Sequence, residues 1–291
     1  MQIDWLNQVL LFIISLVANI FSAFAGGGAG LIQFPALLFL GLPFGIALAT
    51  HKVASVALGL GATIRNLKED ILERQFALFM LATGLPGVIL GASLILSVPE
   101  RYAEIALGFL TAGLGLYSVF KPSLGQTHQP AHRNLSGFII GGLILFIIGI
   151  LNGSLTSGTG LFVTLWLVQW FGLDYKRAVV YTLVLVGLFW NGVGAMTLGL
   201  LGEIKWSWLP VLLAGSLLGG YTGAHLALVK GNNCLPRTSD VTTLPLGFNL
   251  LSNNTPYSRP GLPSPPPHPR PPPPPPPPPS RPPPPPPPPR R

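Results

Sequence analysis

The chain has 291 residues, of which 49% are hydrophobic and only 9% are charged. Its formal net charge is +8, but six of the seventeen Lys and Arg residues follow residue 236, and most of the others lie between apolar runs. This distribution does not form one basic face, so no nucleic-acid partner is expected. The single cysteine, Cys234, excludes an intramolecular disulfide framework.

Long apolar runs follow one another through most of the chain, from its beginning to Val229. Each is about 19 residues or longer, close to the roughly 20 that a helix needs to cross a hydrocarbon core of about 30 Å. Backbone amides in lipid must be paired internally, so the pattern predicts an all-α, multi-pass helical bundle in a lipid bilayer. The first run lacks a basic leader and is expected to be a retained helix, not a signal peptide. The runs are 5–25, 44–64, 75–97, 102–120, 135–156, 178–200 and 206–229.

A glycine signature occurs twice along the chain. The segment Gly28-Ala29-Gly30-Leu31 recurs as Gly158-Thr159-Gly160-Leu161, and the Gly87/Gly91 pair recurs at nearly the same offset as Gly219/Gly223. Secondary transporters use broken helices in matching positions of two repeats to build a site near the bilayer midplane. The pattern predicts membrane repeat 1 at 1–120, a loop at 121–134, and membrane repeat 2 at 135–230.

Residues 26–43 are broken by glycine and proline, yet they are too apolar to be a loop. Non-helical backbone survives at membrane depth only where protein buries it or where it lines a cavity. A re-entrant half-helix is the first expectation, with four crossings per repeat and parallel repeats. A full crossing would give five crossings per repeat and inverted repeats. The sequence leaves both alternatives open.

The basic loops at 65–74 and 121–133 are expected to face the cytoplasm, because short cytoplasmic loops are rich in Lys and Arg. The loop at Glu100 is then expected on the outer side. With a re-entrant segment at 26–43, the N-terminus is expected inside, and the chain after residue 230 is expected outside.

Thr50, His51 and Lys52 lie within the apolar run 44–64. A charged residue at that depth costs at least about 2.5 kcal/mol, so it normally faces a partner, a cavity or water. Alternatively, Lys52 extends to the interface or pairs with a free carbonyl of the broken segment. The matching position in repeat 2 is close to Leu183, which favours a functional role over a purely architectural one.

The glycine breaks expose helix N-termini, whose free amides favour anions. Hydroxyls and amides near the second break could bind an oxyanion or could join helices. The residues expected at the substrate site are Gly27, Gly28, Gly30, Thr50, His51, Lys52, Ser157, Gly158, Thr159, Gly160 and Asn191.

Motifs for enzymatic chemistry are missing from the sequence. It has no ATP-binding Gly-x-x-x-x-Gly-Lys-Ser/Thr loop, no His-Glu-x-x-His and no paired cysteines. We therefore expect no enzymatic activity, no cofactor and no bound metal.

The first break and the helix after it form the pattern Gly26-Gly27-Gly28-x-Gly30, then Pro35, Gly41 and Ala47-x-x-Thr50-x-Lys52. This pattern resembles the first repeat of the TauE/SafE sulfite-exporter permeases, also grouped as 4-toluene sulfonate uptake permeases. Repeat 2 resembles the family through Gly158-x-Gly160, the Ala178 helix and Asn191. The resemblance covers roughly residues 5–230.

The resemblance implies a secondary transporter in a bacterial-type plasma membrane. It further implies sulfite, organosulfonates or related small anions as substrates, and a proton or sodium gradient as the driving force. His51 stands where the family often has Asn, and a histidine can titrate near neutral pH. This departure leaves the identity of the substrate open.

Residues 231–291 contain long proline runs, with 24 of the 33 prolines after residue 255. They are expected to form a disordered, polyproline-II-like tail in place of the helix that would close repeat 2. A shifted reading frame or a faulty sequence join would produce this change; an adapted regulatory tail is the alternative. A different functional class is a membrane anchor that displays the tail to SH3-like partner domains. A buried lysine and duplicated breaks favour the permease, because an anchor needs neither.

Overall fold

The structure is a computed structural model that describes residues 5–66, 71–120 and 128–230, and its regular elements in this part are all helical. The prediction for the tail at 231–291 lies outside these residues. Helix α2 follows a 3₁₀ turn at Ala29–Leu31, and helix α10 follows another at Trp206–Trp208. A π-helical segment, Thr182–Trp190, joins α8 to α9. The helices are α1 Trp5–Ala25, α2 Gln33–Phe39, α3 Phe44–Asn66, α4 Arg74–Ile95, α5 Glu100–Phe120, α6 Leu135–Ser154, α7 Thr159–Gln169, α8 Tyr175–Tyr181, α9 Asn191–Leu201 and α10 Leu209–Lys230.

Six helices of the described part are long and apolar enough to cross a membrane. They match six of the seven predicted runs, and the seventh run, 102–120, forms most of α5. The all-α, multi-pass architecture predicted from the sequence is thereby confirmed. The six spans are Trp5–Ala25, Phe44–Asn66, Arg74–Ile95, Leu135–Ser154, Tyr175–Leu201 and Trp206–Val229.

Helices α1 and α10 pack side by side and run in the same direction. Near the start of both helices, the Gln8 Nε2 donates to the Ser207 carbonyl oxygen at 3.5 Å. Further along, the Ser15 hydroxyl donates to the Leu212 carbonyl oxygen at 2.8 Å. Towards their ends, a Cβ added to Gly223 would meet the backbone of α1.

Helix α3 also runs parallel to α10. Thr50, near its beginning, accepts a hydrogen bond from the Lys205 backbone amide at 3.0 Å, and Arg65, near its end, donates to His225 at 3.0 Å. Helices α1 and α3 therefore point the same way, so the segment between them starts on one side of the bundle and ends on the other. The helix directions contradict the re-entrant alternative and match a full crossing.

The segment that contains the second glycine break also crosses the bundle. Helix α6 runs parallel to α4, because Gly149 packs on Gly84 and Gly153 packs on Val88. The span Tyr175–Leu201 runs antiparallel to α3, and so does α4. Helix α6 and the span that follows α7 therefore point the same way, and α7 carries the chain back across. This order of directions is the one expected of inverted repeats, although the second has only four crossings within the described residues; the repeats themselves remain a prediction.

The crossing at 26–43 changes which ends of the helices are expected on the cytoplasmic side. The N-terminal end of α1 lies on the opposite side from the basic loops, and α10 ends on the basic side, where α3 also ends. The expectation of an N-terminus inside assumed a re-entrant segment, and the position of the start of α1 replaces it; the expectation for the tail concerns residues outside the described part. Arg101 and Lys205 lie on the other face with three acidic residues, and the basic face is the cytoplasmic one by the positive-inside rule. That basic face carries Arg65, Arg74, Arg133, Lys176 and Arg177.

Candidate functional site

The two glycine breaks lie against each other in the middle of the bundle. A Cβ on Gly27, whose φ is +119°, would lie 2.7 Å from the carbonyl carbon of Gly160. A Cβ on Gly30 would lie 2.9 Å from the Cα of Ser157, whose hydroxyl donates to the Gly30 carbonyl oxygen at 3.0 Å. Only residues without a side chain allow the two backbones to approach this closely. The proximity expected from the repeated signature is confirmed.

Lys52 is completely buried beside these breaks. Its Nζ donates to the Oδ1 of Asn152 at 2.6 Å and to the Oδ1 of Asn191 at 2.9 Å. Because a lysine side chain can only donate, both atoms that face it must be amide oxygens. No aspartate or glutamate of the described residues is buried, and Lys52 forms no ion pair among them. The Lys52 amino group is therefore met by amide dipoles and, in the described part of the chain, by no carboxylate.

The Lys52 contacts fix the orientation of both asparagines. The Asn152 Nδ2 donates to the Thr159 hydroxyl at 2.9 Å, and that hydroxyl donates to the Thr156 carbonyl oxygen at 2.8 Å. A continuous chain of hydrogen bonds thus joins Lys52 to the break before α7. The Asn191 Nδ2 has no partner within the described part of the chain, although Asn191 lines a cavity. This amide remains available as a donor.

A cavity lies between the two breaks and helices α1 and α3. The volume in which the centre of a water molecule fits is about 30 Å³, so the cavity has room for a few waters at most. Two buried polar atoms of its wall lack a hydrogen-bond partner in the described structure, the Ser22 hydroxyl and the Nδ1 of His51. The polar or glycine residues of the wall are Ser22, Gly27, Gly28, Gly30, His51, Ser55, Asn152, Thr156, Thr159, Gly160, Thr182, Gly187 and Asn191.

Helix α7 starts at this cavity. Gly158 caps it with a left-handed backbone, φ +69°, and Thr159 and Gly160 of its first turn belong to the cavity wall. Amides of a first turn lack intrahelical acceptors, and the N-terminal end of a helix carries partial positive charge. The site thus combines an ammonium, an amide donor and a helix N-terminus, all of which favour negative charge.

The predicted site residues fall into two groups. Seven of them line the cavity, and Lys52 lies directly behind the wall on Asn152 and Asn191. Thr50 does not face the cavity, because its hydroxyl accepts from the Lys205 amide. Ser157 and Gly158 support the second break: the Ser157 hydroxyl bonds to the Gly30 carbonyl, and Gly158 caps α7. The seven on the wall are Gly27, Gly28, Gly30, His51, Thr159, Gly160 and Asn191.

The residues expected at the substrate site do not include Ser22 or Ser55, and Asn152 was expected only as one of the amides near the second break that bind an oxyanion or join helices. Asn152 follows Ser22 at the same offset at which Gly158 follows Gly28, so the repeat register was a usable signal for both. Ser55 lies one helical turn after His51, which places both side chains on one helix face. Thr182 of the π-helical segment also reaches the wall, and no local pattern marked it.

Known proteins resemble the chain over most of its length. The chain is 33% identical over 227 residues to a "Probable membrane transporter protein" of Haemophilus influenzae, which covers 78% of this chain and 87% of the relative. It is 28% identical over 246 residues to "Probable membrane transporter protein ORF9" of Sinorhizobium sp, covering 84% and 92%. It is 27% identical over 227 residues to "Probable membrane transporter protein YfcA" of Escherichia coli K12, covering 78% and 82%.

The family model described as "Sulfite exporter TauE/SafE" matches residues 11–250, whereas no solved structure matches the chain. This match confirms the resemblance drawn from the glycine breaks and the Thr50-x-Lys52 element. Six helices of the described residues are long and apolar enough to cross a membrane, and the relatives are bacterial transporters. The chain is a multi-pass integral protein of the bacterial plasma-membrane type, and a transporter, not an enzyme. It belongs to the TauE/SafE sulfite exporter family.

Proposed function

We propose that the chain is a secondary transporter for small oxyanions of the sulfite and organosulfonate class, which bind in the cavity between the two glycine breaks. The observation that carries the proposal is Lys52, a completely buried lysine whose only hydrogen-bond partners in the described structure are two neutral amides.

The energetics of Lys52 favour an anionic ligand. An ion loses several kcal/mol of hydration on burial, and attraction to a counter-ion is the usual compensation. The Oδ1 atoms of Asn152 and Asn191 supply hydrogen bonds but no negative charge. An anion in the adjacent cavity would supply that charge, so the protein would bind an anion more readily than a neutral analogue of the same shape.

The donors around the cavity favour oxygen-rich ligands. Within the described part of the chain, Asn191 has an unpaired amide group, Ser22 has an unpaired hydroxyl, and the N-terminal end of α7 lies at the cavity wall. These donors belong to α9, α1 and α7, so a ligand with several oxygens could meet more than one of them. Sulfite and sulfonate groups carry three such oxygens, which accept strong, charge-assisted hydrogen bonds.

The cavity is too small for such an anion in the present conformation. Its space of about 30 Å³ for a water-sized centre admits waters only, so the wall must open for a polyatomic anion to enter. The helix directions around the two breaks support a mechanism for this opening. In transporters with inverted repeats, one unit rocks against the other around a fixed central site.

Counter-flow in proteoliposomes tests the proposal. Vesicles loaded with unlabelled sulfite or methanesulfonate and diluted into trace label should accumulate the label of at least one of these anions transiently. Dimethyl sulfone, the neutral analogue of methanesulfonate, should not compete at equal concentration, because it carries no charge for Lys52. Absence of counter-flow for both anions, or equal competition by the sulfone, contradicts the proposal.

A further inference from the structure

His51 lies on the wall of the proposed anion cavity, one residue before Lys52 on helix α3. Its side chain is 1% exposed. The ring Nε2 lies 3.1 Å from the hydroxyl of Ser55, which also belongs to the wall. The other ring nitrogen, Nδ1, has no hydrogen-bond partner among the described residues. The ring thus has one unused hydrogen-bonding position.

The charged surroundings of His51 are simple. On α3, Lys52 is the neighbouring charge. The elements packed against the ring contribute Phe34 from α2, with ring centroids 5.9 Å apart, and Gly30 of the first break, neither of which titrates. Across the cavity, the described wall residues carry hydroxyl, amide or apolar side chains and no carboxylate.

These surroundings couple a proton on His51 to an anion in the cavity. A neutral imidazole has one donor and one acceptor, whereas an imidazolium has two donors. A proton on His51 without a ligand would place a second cation beside Lys52, away from water and without a counter-ion. An oxyanion would bring both the negative charge and the oxygen acceptors that the protonated ring needs. By linkage, the proton must then favour the anion as much as the anion favours the proton.

We infer that His51 is the coupling residue of the proposed transporter: it takes up one proton as an oxyanion enters the cavity and releases that proton on the side where the anion leaves. The proton adds to the free lone pair of a ring nitrogen and departs from it, and no bond to the anion forms. Proton and anion therefore cross the membrane in the same direction. This inference rests on the proposed function, since it requires that the cavity binds an anion.

Methanesulfonate is the suitable probe, because the charge of this strong-acid anion does not change near neutral pH. Proteoliposomes contain a trapped pH dye, and potassium with valinomycin holds the membrane voltage at zero. If one proton accompanies each anion, an outside pH lower by one unit should drive about tenfold accumulation, since one pH unit corresponds to 2.303RT of proton free energy. An inward methanesulfonate gradient alone should acidify the vesicle interior.

His51→Gln and His51→Asn remove the titrating group but retain a polar side chain. Both should lose at least about tenfold of the anion-driven proton uptake, since a carrier without the proton site has no one-to-one linkage. The quantity to compare is the ratio of protons to methanesulfonate taken up, because this ratio does not depend on how tightly a variant binds the anion. His225→Gln, an exposed histidine of α10 outside the cavity, is the matched control and should behave as the unmodified protein.

The possible outcomes distinguish proton coupling by His51 from anion transport itself. Counter-flow of methanesulfonate without any proton uptake by the unmodified protein overturns the coupling and leaves anion transport standing. Full proton uptake by either His51 variant also overturns it. Absence of counter-flow for both sulfite and methanesulfonate overturns the proposed function. If neither variant folds, the proton-to-anion ratio of the unmodified protein still decides, because a ratio of zero excludes the coupling.

Discussion

The backbone of Gly27, just after α1, touches the backbone of Gly160 at the start of α7. A Cβ on Gly27 would lie 2.7 Å from the Gly160 carbonyl carbon and 2.8 Å from its Cα, closer than real Cβ contacts allow. The two glycine breaks are therefore in direct backbone contact at Gly27 and Gly160. A small displacement of either backbone at this contact would move the wall of the cavity, since Gly27 and Gly160 both line it.

A first prediction concerns this contact. Gly27→Ala should lower the free energy of unfolding by about 1–3 kcal/mol through overpacking. The positive φ of residue 27, which disfavours any residue with a Cβ, should lower the free energy of unfolding by about 1–2 kcal/mol more. Gly113→Ala in α5 is the control, because a Cβ there meets nothing within 4 Å. Thermal unfolding of both variants in detergent measures the difference. Equal melting temperatures would show that the two breaks do not touch.

A second prediction concerns the crossing at 26–43. Cysteines introduced at Trp5 and Glu203 should react with a membrane-impermeant maleimide from outside intact cells, in a background where Cys234 is serine. A cysteine at Pro130 should react only after the membrane is permeabilised. These three positions are exposed in the structure. Protection of the Trp5 position together with Pro130 would restore the re-entrant topology.

A third prediction concerns the charge of the site. Asn191→Asp would place a carboxylate 2.9 Å from the Lys52 ammonium, where the amide oxygen now lies. This internal counter-ion should occupy Lys52 and repel a bound anion, and a like-charge approach costs several kcal/mol. The concentration of anion needed for half-maximal counter-flow should rise at least about tenfold, which corresponds to about 1.4 kcal/mol.

Asn191→Leu provides the comparison for that variant, because it removes the amide and adds no charge. It should weaken anion binding less than Asn191→Asp does. If the acidic variant bound the anion as tightly as the unmodified protein, Lys52 would not be the group that attracts it.

The sequence allowed the helices and the meeting of the two breaks to be predicted. Span length and internal amide pairing constrain any chain in lipid, and a glycine signature at a nearly constant offset is read directly from the letters. The number of crossings was not predictable, because the broken segment at 26–43 suits a half-helix and a tight crossing equally well. The parallel packing of α1 and α3 on α10 decides it, and such packing is a long-range property.

The site was predicted only in part, because it too depends on contacts between residues far apart in the chain. Lys52 was recognisable because a cation inside an apolar run is costly wherever it lies. Its partners were harder to find: Asn152 and Asn191 lie 100 and 139 residues away in the chain, and buried asparagines in a membrane usually join helices. Thr50 looked like part of the site because it is close to Lys52 in sequence, but its hydroxyl accepts from the Lys205 amide.

The central claim is that the Lys52 ammonium attracts the transported anion, and counter-flow by Lys52→Met tests it most directly. Methionine keeps the length of the side chain and removes the charge, so the bundle should still fold. Two unit charges about 6–8 Å apart attract each other by about 2–3 kcal/mol at an effective dielectric constant of about 20. Loss of that contribution should reduce sulfite or methanesulfonate counter-flow by about tenfold to a hundredfold. Lys205→Met, which changes an exposed lysine, should transport normally. Equal counter-flow by Lys52→Met and the unmodified protein, at equal amounts of folded protein, would contradict the account.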